Sequence, residues 1–187
     1  MTKKEARQWF KEKRQALSEE DFQALNQMVV KNLFEHFEWK DLTIATFLSI
    51  KDKKELQTDN INRQLLLDNK VVASISNFEN SSMQFYLYDL QTTIINNKWG
   101  IPEPINAPAI DHKSIDIVLT PLLGFDNDGN RVGYGKGFYD RLAQTLKPEA
   151  LYVGLSIFAP ITTLVDANNL DKKLDFCVTP DNIYRFT

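Results

Sequence analysis

Hydrophobic residues fall into two kinds of pattern along this chain, and their order outlines an architecture. Between residues 19 and 37, Phe22, Leu25, Val29 and Leu33 recur at three- and four-residue spacing and predict an amphipathic helix. Ser18 followed by Asp21 marks its start, and Thr2 followed by Glu5 marks an earlier helix, both in the manner of a capping box. Thr58 is the expected cap of a third helix carrying Ile61 and Leu65. Short continuous apolar runs punctuate these helices: TIATFLSI (43–50), VVASIS (71–76), MQFYLYDL (83–90), IDIVLTPLLGF (115–125) and LYVGLSI (151–157). Each reads as a strand, and GFYDRLAQTL from Gly137 begins another helix. Such alternation predicts an α/β fold, with one domain spanning 1–187 and a mostly parallel central sheet of at least five strands flanked by helices. Residues 97–110, which contain Pro102, Pro104 and Pro108, are expected to hold no regular element.

Composition narrows the class without changing that picture. A chain of 187 residues, 43% hydrophobic and 25% charged, buries a core and is not disordered. A net charge of -3 gives no global attraction to nucleic acid or anionic membrane. No apolar stretch approaches the ~20 residues that cross a bilayer. The basic amino terminus has no apolar run behind it, as a secretory signal would. A cytoplasmic protein is therefore expected. With one cysteine, Cys177, and two distant histidines, His36 and His112, neither an intrachain disulfide nor a Cys/His metal centre is expected.

Candidate chemistry concentrates in a few segments. Five of the seven glycines lie between 124 and 137, directly after the strongest strand and before a helix. Backbone N–H groups in such a turn can cradle phosphate, with Lys136 and Arg131 adding charge. A mobile turn is the simpler alternative, and neither the Walker A pattern nor G-x-G-x-x-G is present. Lys3, Lys4, Arg7, Lys11, Lys13 and Arg14 make the first helix basic, which suits either a solvated face or one that meets an anion. Asp140 could complement a helix dipole or hold magnesium beside a polyphosphate, with Asp171 or Asp175 as a second carboxylate. Trp99 and Glu103, in a rigid proline-flanked loop, suit a packed turn or the wall of a pocket for a flat heteroaromatic ligand. Glu55 follows a strand carboxyl end, where open α/β sheets place ligand contacts, although a capping acid would also stand there.

The run PLLGFDNDGNRVGYGKGFYDR (121–141) resembles the signature of the 5-formyltetrahydrofolate cyclo-ligases, also called 5,10-methenyltetrahydrofolate synthetases. Lys3-x-x-x-Arg7, Phe47-Leu48-Ser49, Glu55-x-x-Thr58, the WGIPEP of Trp99 to Pro104, and Leu174-Asp175 with Thr179 follow in the family's order, so the resemblance covers essentially the whole chain. It implies a fold related to sugar-phosphate isomerases. The implied activity is conversion of 5-formyltetrahydrofolate and MgATP to 5,10-methenyltetrahydrofolate, ADP and phosphate, through a phosphorylated formyl (iminophosphate) intermediate. By the same resemblance Lys3, Arg7 and the loop Arg131, Val132, Gly133, Tyr134, Gly135, Lys136, Gly137, Phe138 and Tyr139 surround ATP. Leu48, Glu55 and the inner loop from Tyr134 to Phe138 contact the folate, and Asp140 and Asp171 hold Mg2+. Lys136 and Arg131 are the expected catalytic cations, with Lys4 beside the nucleotide and Trp99 and Glu103 beside the folate. Partners are expected to be these small molecules alone, bound by a monomer. Two departures stand out: Tyr134 occupies a position where many members have Arg, and the stretch from Ser49 to Glu55 is slightly longer than the family pattern. A sugar-phosphate isomerase needing no ATP and a non-catalytic folate- or nucleotide-binding module are the competing readings.

Overall fold

The computed structural model describes residues 1–164, 166–167 and 171–186. Its helices are α1 (Lys3–Ala16), α2 (Glu19–His36), α3 (Asp59–Leu65) and α4 (Phe138–Leu142). Its strands are β1 (Thr43–Thr46), β2 (Lys70–Asn77), β3 (Ser82–Leu87), β4 (Ile94–Asn96), β5 (Pro102–Pro104), β6 (Ile117–Pro121), β7 (Gly124–Phe125), β8 (Arg131–Val132), β9 (Leu151–Leu155), β10 (Phe176–Val178) and β11 (Ile183–Arg185). Seven of these form one sheet in the order β11-β10-β9-β6-β1-β2-β3. Its five central strands are mutually parallel; β11 and β3 close the two edges in antiparallel fashion.

Alternation along each central strand sends successive side chains to opposite faces, and both faces are covered. Ile44, Leu119, Val153 and Val178 enter one core with Phe22, Val29 and Leu33 of α2. Ala45, Val118, Tyr152 and Cys177 enter the other with Phe85 and Leu142. That double burial explains why the strands read as unbroken apolar runs. The expected helix stripe holds for Phe22, Val29 and Leu33, with Leu25 at its half-buried margin.

Element ends depart from expectation for local reasons. Thr2 and Glu5 form the full capping box. Ser18 accepts from Asp21 N, but the Asp21 carboxylate takes the Ser18 hydroxyl rather than its backbone, so this cap is one-sided. Thr58 stands at the start of α3 but its side chain makes no capping bond: its hydroxyl donates to Phe47 O at 2.7 Å, tying the helix start to the end of β1. The apolar run 115–125 is two strands, because β6 ends at Pro121 and β7 turns away to pair with β8. Within 97–110, which was expected to be irregular, Pro102–Pro104 pairs with Ile94–Asn96 as an isolated two-stranded ribbon. Pro tolerates this position because no ladder continues on the ribbon's far side.

Candidate active site

Helix α1 shows why a basic sequence run is not a uniform basic face. Residues 3, 7, 10 and 14 share one side at helical spacing. Phe10 is fully buried against Gly124, where any Cβ would fall inside the space of its ring. Arg14, 3% exposed, donates from Nη2 to Leu122 O, just past the end of β6, at 2.8 Å. These two buried anchors bring Lys3 and Arg7 to the glycine loop. Arg7 Nε donates to Gly133 O at 2.9 Å. Gly135 has φ +85°, so backbone shape favours glycine there, and a Cβ would stand 3.3 Å from Arg7 Nη2. Lys4, Lys11 and Lys13 point to solvent instead. Lys4, expected beside the nucleotide, therefore does not line the cleft.

A cleft of about 520 Å³ opens between this loop and the carboxyl ends of β1, β2 and β6. The chain leaves β1 toward β2 on one side, while β6 lies on its other side, so the cleft sits where the winding reverses. Phe47, Leu48, Ser74, Ser76 and Pro121 reach it from the strand ends. Lys3, Arg7, Arg131, Asp140, Asp171 and the loop from Gly133 to Tyr139 line one side; Trp99, Ile101 and Pro102 line another. Trp99 is 48% exposed and lies on Phe78 with ring centres 4.0 Å apart, and Phe78 meets Phe138 edge-on at 5.1 Å. An apolar, flat-walled half thus faces a cationic half.

Both expected metal carboxylates line the cleft, and both have cationic partners. Asp140 Oδ1 accepts from Arg131 Nη2 at 2.5 Å and from Lys172 N at 3.0 Å. Asp171 is paired with the Lys3 ammonium. Among the described residues no group of three His, Cys, Asp or Glu is placed to hold a metal ion. The pair still suits magnesium arriving on phosphate oxygens, which needs only one or two protein carboxylates. Asp175 is elsewhere: it is buried and accepts from Tyr152 N at 2.7 Å.

Glu55 is 5% exposed and its Oε2 accepts from Ile50 N at 2.8 Å. Burial pushes its carboxyl above the ordinary range, against the pull of that N–H, Tyr134, Arg14 and Lys53. Burial and the Glu55 charge push the Tyr134 phenol far up as well, so it stays protonated. Its hydroxyl lies between Glu55 and Arg14 and carries no well-formed hydrogen bond of its own.

Two further residues of the expected site do not line the cleft. Val132 is buried with Phe10 and Leu123. Glu103 does not line it either; its Oε1 accepts from Ser76 N at 3.0 Å and pins the proline ribbon to β2. Helix α4 spans only five residues, so the expected phosphate-facing helix terminus is little more than one turn. Positive charge at the loop comes from its own Arg131 and Lys136 and from Lys3 and Arg7 of α1. Sequence reading missed Lys53, Ser74, Ser76 and Phe78, all at the cleft. The two serines carried a signal, since they alternate along β2 on the face of Val72; Lys53 lay in a charged turn and carried none.

Fold and cleft together define an α/β protein with a ligand site at its sheet's switch point, cationic on one side and aromatic on the other. The chain belongs to the 5-formyltetrahydrofolate cyclo-ligase family, whose model matches residues 1–180. It is 25% identical to the 5-formyltetrahydrofolate cyclo-ligase of Mus musculus, covering 92% of this chain and 90% of that one. Identity with the enzyme of that name from Haemophilus influenzae is 34%, over 67% of each chain. The structure of Aquifex aeolicus 5,10-methenyltetrahydrofolate synthetase superposes with a TM-score of 0.83 at 27% identity, covering 100% of this chain and 93% of that one. That of the Mycoplasma pneumoniae synthetase gives 0.76 at 25% identity, covering 96% and 99%. The activity that goes with this membership is ATP-dependent conversion of 5-formyltetrahydrofolate to 5,10-methenyltetrahydrofolate.

Proposed function

We propose that this cleft binds both substrates together, with the nucleotide along Lys3, Arg7 and the loop from Gly133 to Tyr139, and the folate against Leu48, Glu55 and Trp99. One observation carries the assignment: an amino-terminal helix face, a glycine loop and the Leu48–Glu55 strip, far apart in sequence, open into a single cavity. Its cationic half suits polyphosphate and its aromatic half a flat heteroaromatic ring.

A formamide oxygen is a poor leaving group, so ring closure needs it activated. The formyl oxygen attacks the γ-phosphorus; the bond to the β-phosphate oxygen breaks, and ADP leaves. The neighbouring folate amine then adds to the formyl carbon and loses its proton, and the C–O bond breaks to release phosphate. No protein nucleophile is required; alignment and charge neutralisation suffice. Lys136, exposed at the loop with no carboxylate partner among the described residues, is a cation free to meet the transferring phosphoryl group. Arg131 is held by Asp140 and acts by fixing the loop's base. Asp140 and Asp171 would hold Mg2+, which supplies further neutralisation of the phosphates.

The reading is completed by a monomer acting on these small molecules in the cytoplasm, with neither nucleic acid nor membrane as partner. No described helix is long and apolar enough to cross a membrane. Purified protein given 5-formyltetrahydrofolate and MgATP should develop the absorbance of the conjugated methenyl product and release ADP in equal amount. Binding of both compounds without either signal would leave a binding module.

A further inference from the structure

The 3-10 turn at Lys51–Lys53, between β1 and Glu55, places an unassigned cation in the cleft. Lys53 Nζ lies 4.8 Å from the centre of the Tyr134 ring. Among the described residues Lys53 makes no ion pair, as Arg7 and Lys136 make none, whereas Lys3 and Arg131 are already paired. Tyr134 is a rigid shelf for it: the hydroxyl end is buried between Glu55 and Arg14, and the backbone is flanked by Gly133, which Arg7 grips, and Gly135, which packs on Arg7. A lysine stem is long and mobile, and a ring face under its ammonium restricts it at little cost in hydration. The two departures from the family pattern, Tyr134 and the lengthened Ser49–Glu55 stretch, are thus in contact.

We infer that Lys53 is a substrate-binding cation, parked on Tyr134 and directed at an anionic group in the cleft. This rests on the reading that the cleft is the cyclo-ligase site. Phosphate oxygens are the expected anion, because the shelf stands beside Arg7 on the nucleotide side; the other anion available is a carboxylate of the folate's glutamate. Lys53 is exposed, so replacing it leaves the fold intact.

Steady-state kinetics of Lys53→Met, Lys53→Arg, Tyr134→Leu and the Met/Leu double variant test this. Lys53→Met should raise the KM for ATP about 3- to 10-fold with kcat little changed, as expected for one screened charge contact. Lys53→Arg should remain near wild type. Tyr134→Leu should raise the same KM, and the double variant should lose less than the product of the two single effects. A rise confined to 5-formyltetrahydrofolate, and absent for an analogue lacking its glutamate, would assign the carboxylate instead. Unchanged KM values for both substrates in Lys53→Met would overturn the inference. Lys136→Ala run alongside separates the failures: an active wild type, an inactive Lys136→Ala and a normal Lys53→Met sink Lys53 alone, whereas no turnover by wild type sinks the reading beneath it.

Discussion

Lys136 and Glu55 show how differently two residues of one cleft are held, and each predicts a different experiment. Lys136 is exposed on the glycine loop, so truncation removes charge without opening the core. Lys136→Ala should lose about 10²-fold or more in kcat, in the range of other preorganised charge-stabilising groups, with its melting temperature unchanged. Glu55 is the opposite case. Its folded pKa is raised above the ordinary 4.5, chiefly by burial, so the ionised form costs stability. The stability linked to its protonation is fully present below the ordinary value and is lost as pH rises through the folded one. Glu55→Gln should therefore melt higher than wild type at pH 7 to 8, with the gap closing as pH falls through the carboxylate range. The same variant should lose about 10-fold or more in kcat/KM for the folate, since a charged acceptor becomes a neutral one. A Gln variant that is less stable at neutral pH would contradict the buried-charge account.

Helix α1 is the element on which the nucleotide side depends, and its docking can be tested without touching a charged residue. Gly124→Ala forces Phe10 off its seat, and overpacking of this kind costs about 1–3 kcal/mol. Melting temperature should drop by roughly 2–4 °C for each kcal/mol in a chain of this size. Because Phe10 carries Arg7 with it, the KM for ATP should rise more than that for the folate; equal rises would mean that α1 serves the fold alone. This arrangement was only half legible beforehand. The run of Lys and Arg announced an anion or solvent face, but the division into cleft residues (Lys3, Arg7), a buried anchor (Arg14) and solvated lysines follows from which strand ends α1 meets, which is tertiary information. Likewise Thr58 looked like a cap, yet the free Phe47 carbonyl at the end of β1 outcompeted the helix for its hydroxyl. Parallel strands were easy to read because double burial makes them uniformly apolar. The β4–β5 ribbon was not, because β4 is exposed and two of the three β5 residues are proline.

At the scale of the whole molecule the fold gathers Lys3, Arg7, Asp171 and residues of the 47–55 and 131–140 segments around one cavity. Glycine spacing and family order made that gathering readable for most of the cleft. They could not show that Asp140 and Asp171 each face a cation from a different segment: Arg131 for the first, Lys3 for the second. That pairing allows two roles, as metal ligands or as holders of Arg131 and Lys3, and the roles separate thermodynamically. A ligand that binds only the folded state raises stability by about 2.7 kcal/mol at 100 times its Kd, so thermal shifts report affinity without turnover. If the carboxylates hold magnesium, Asp140→Asn and Asp171→Asn should each reduce the melting shift given by MgATP. With ATP in chelator they should preserve or enlarge the shift, because the freed cations still meet phosphate. Activity should require several-fold more magnesium in each, and since one ion would be shared, the double variant should lose less than the product of the single losses. If the carboxylates only hold the cations, the shifts with and without magnesium should shrink together, the magnesium requirement should stay where it is, and the two losses should multiply.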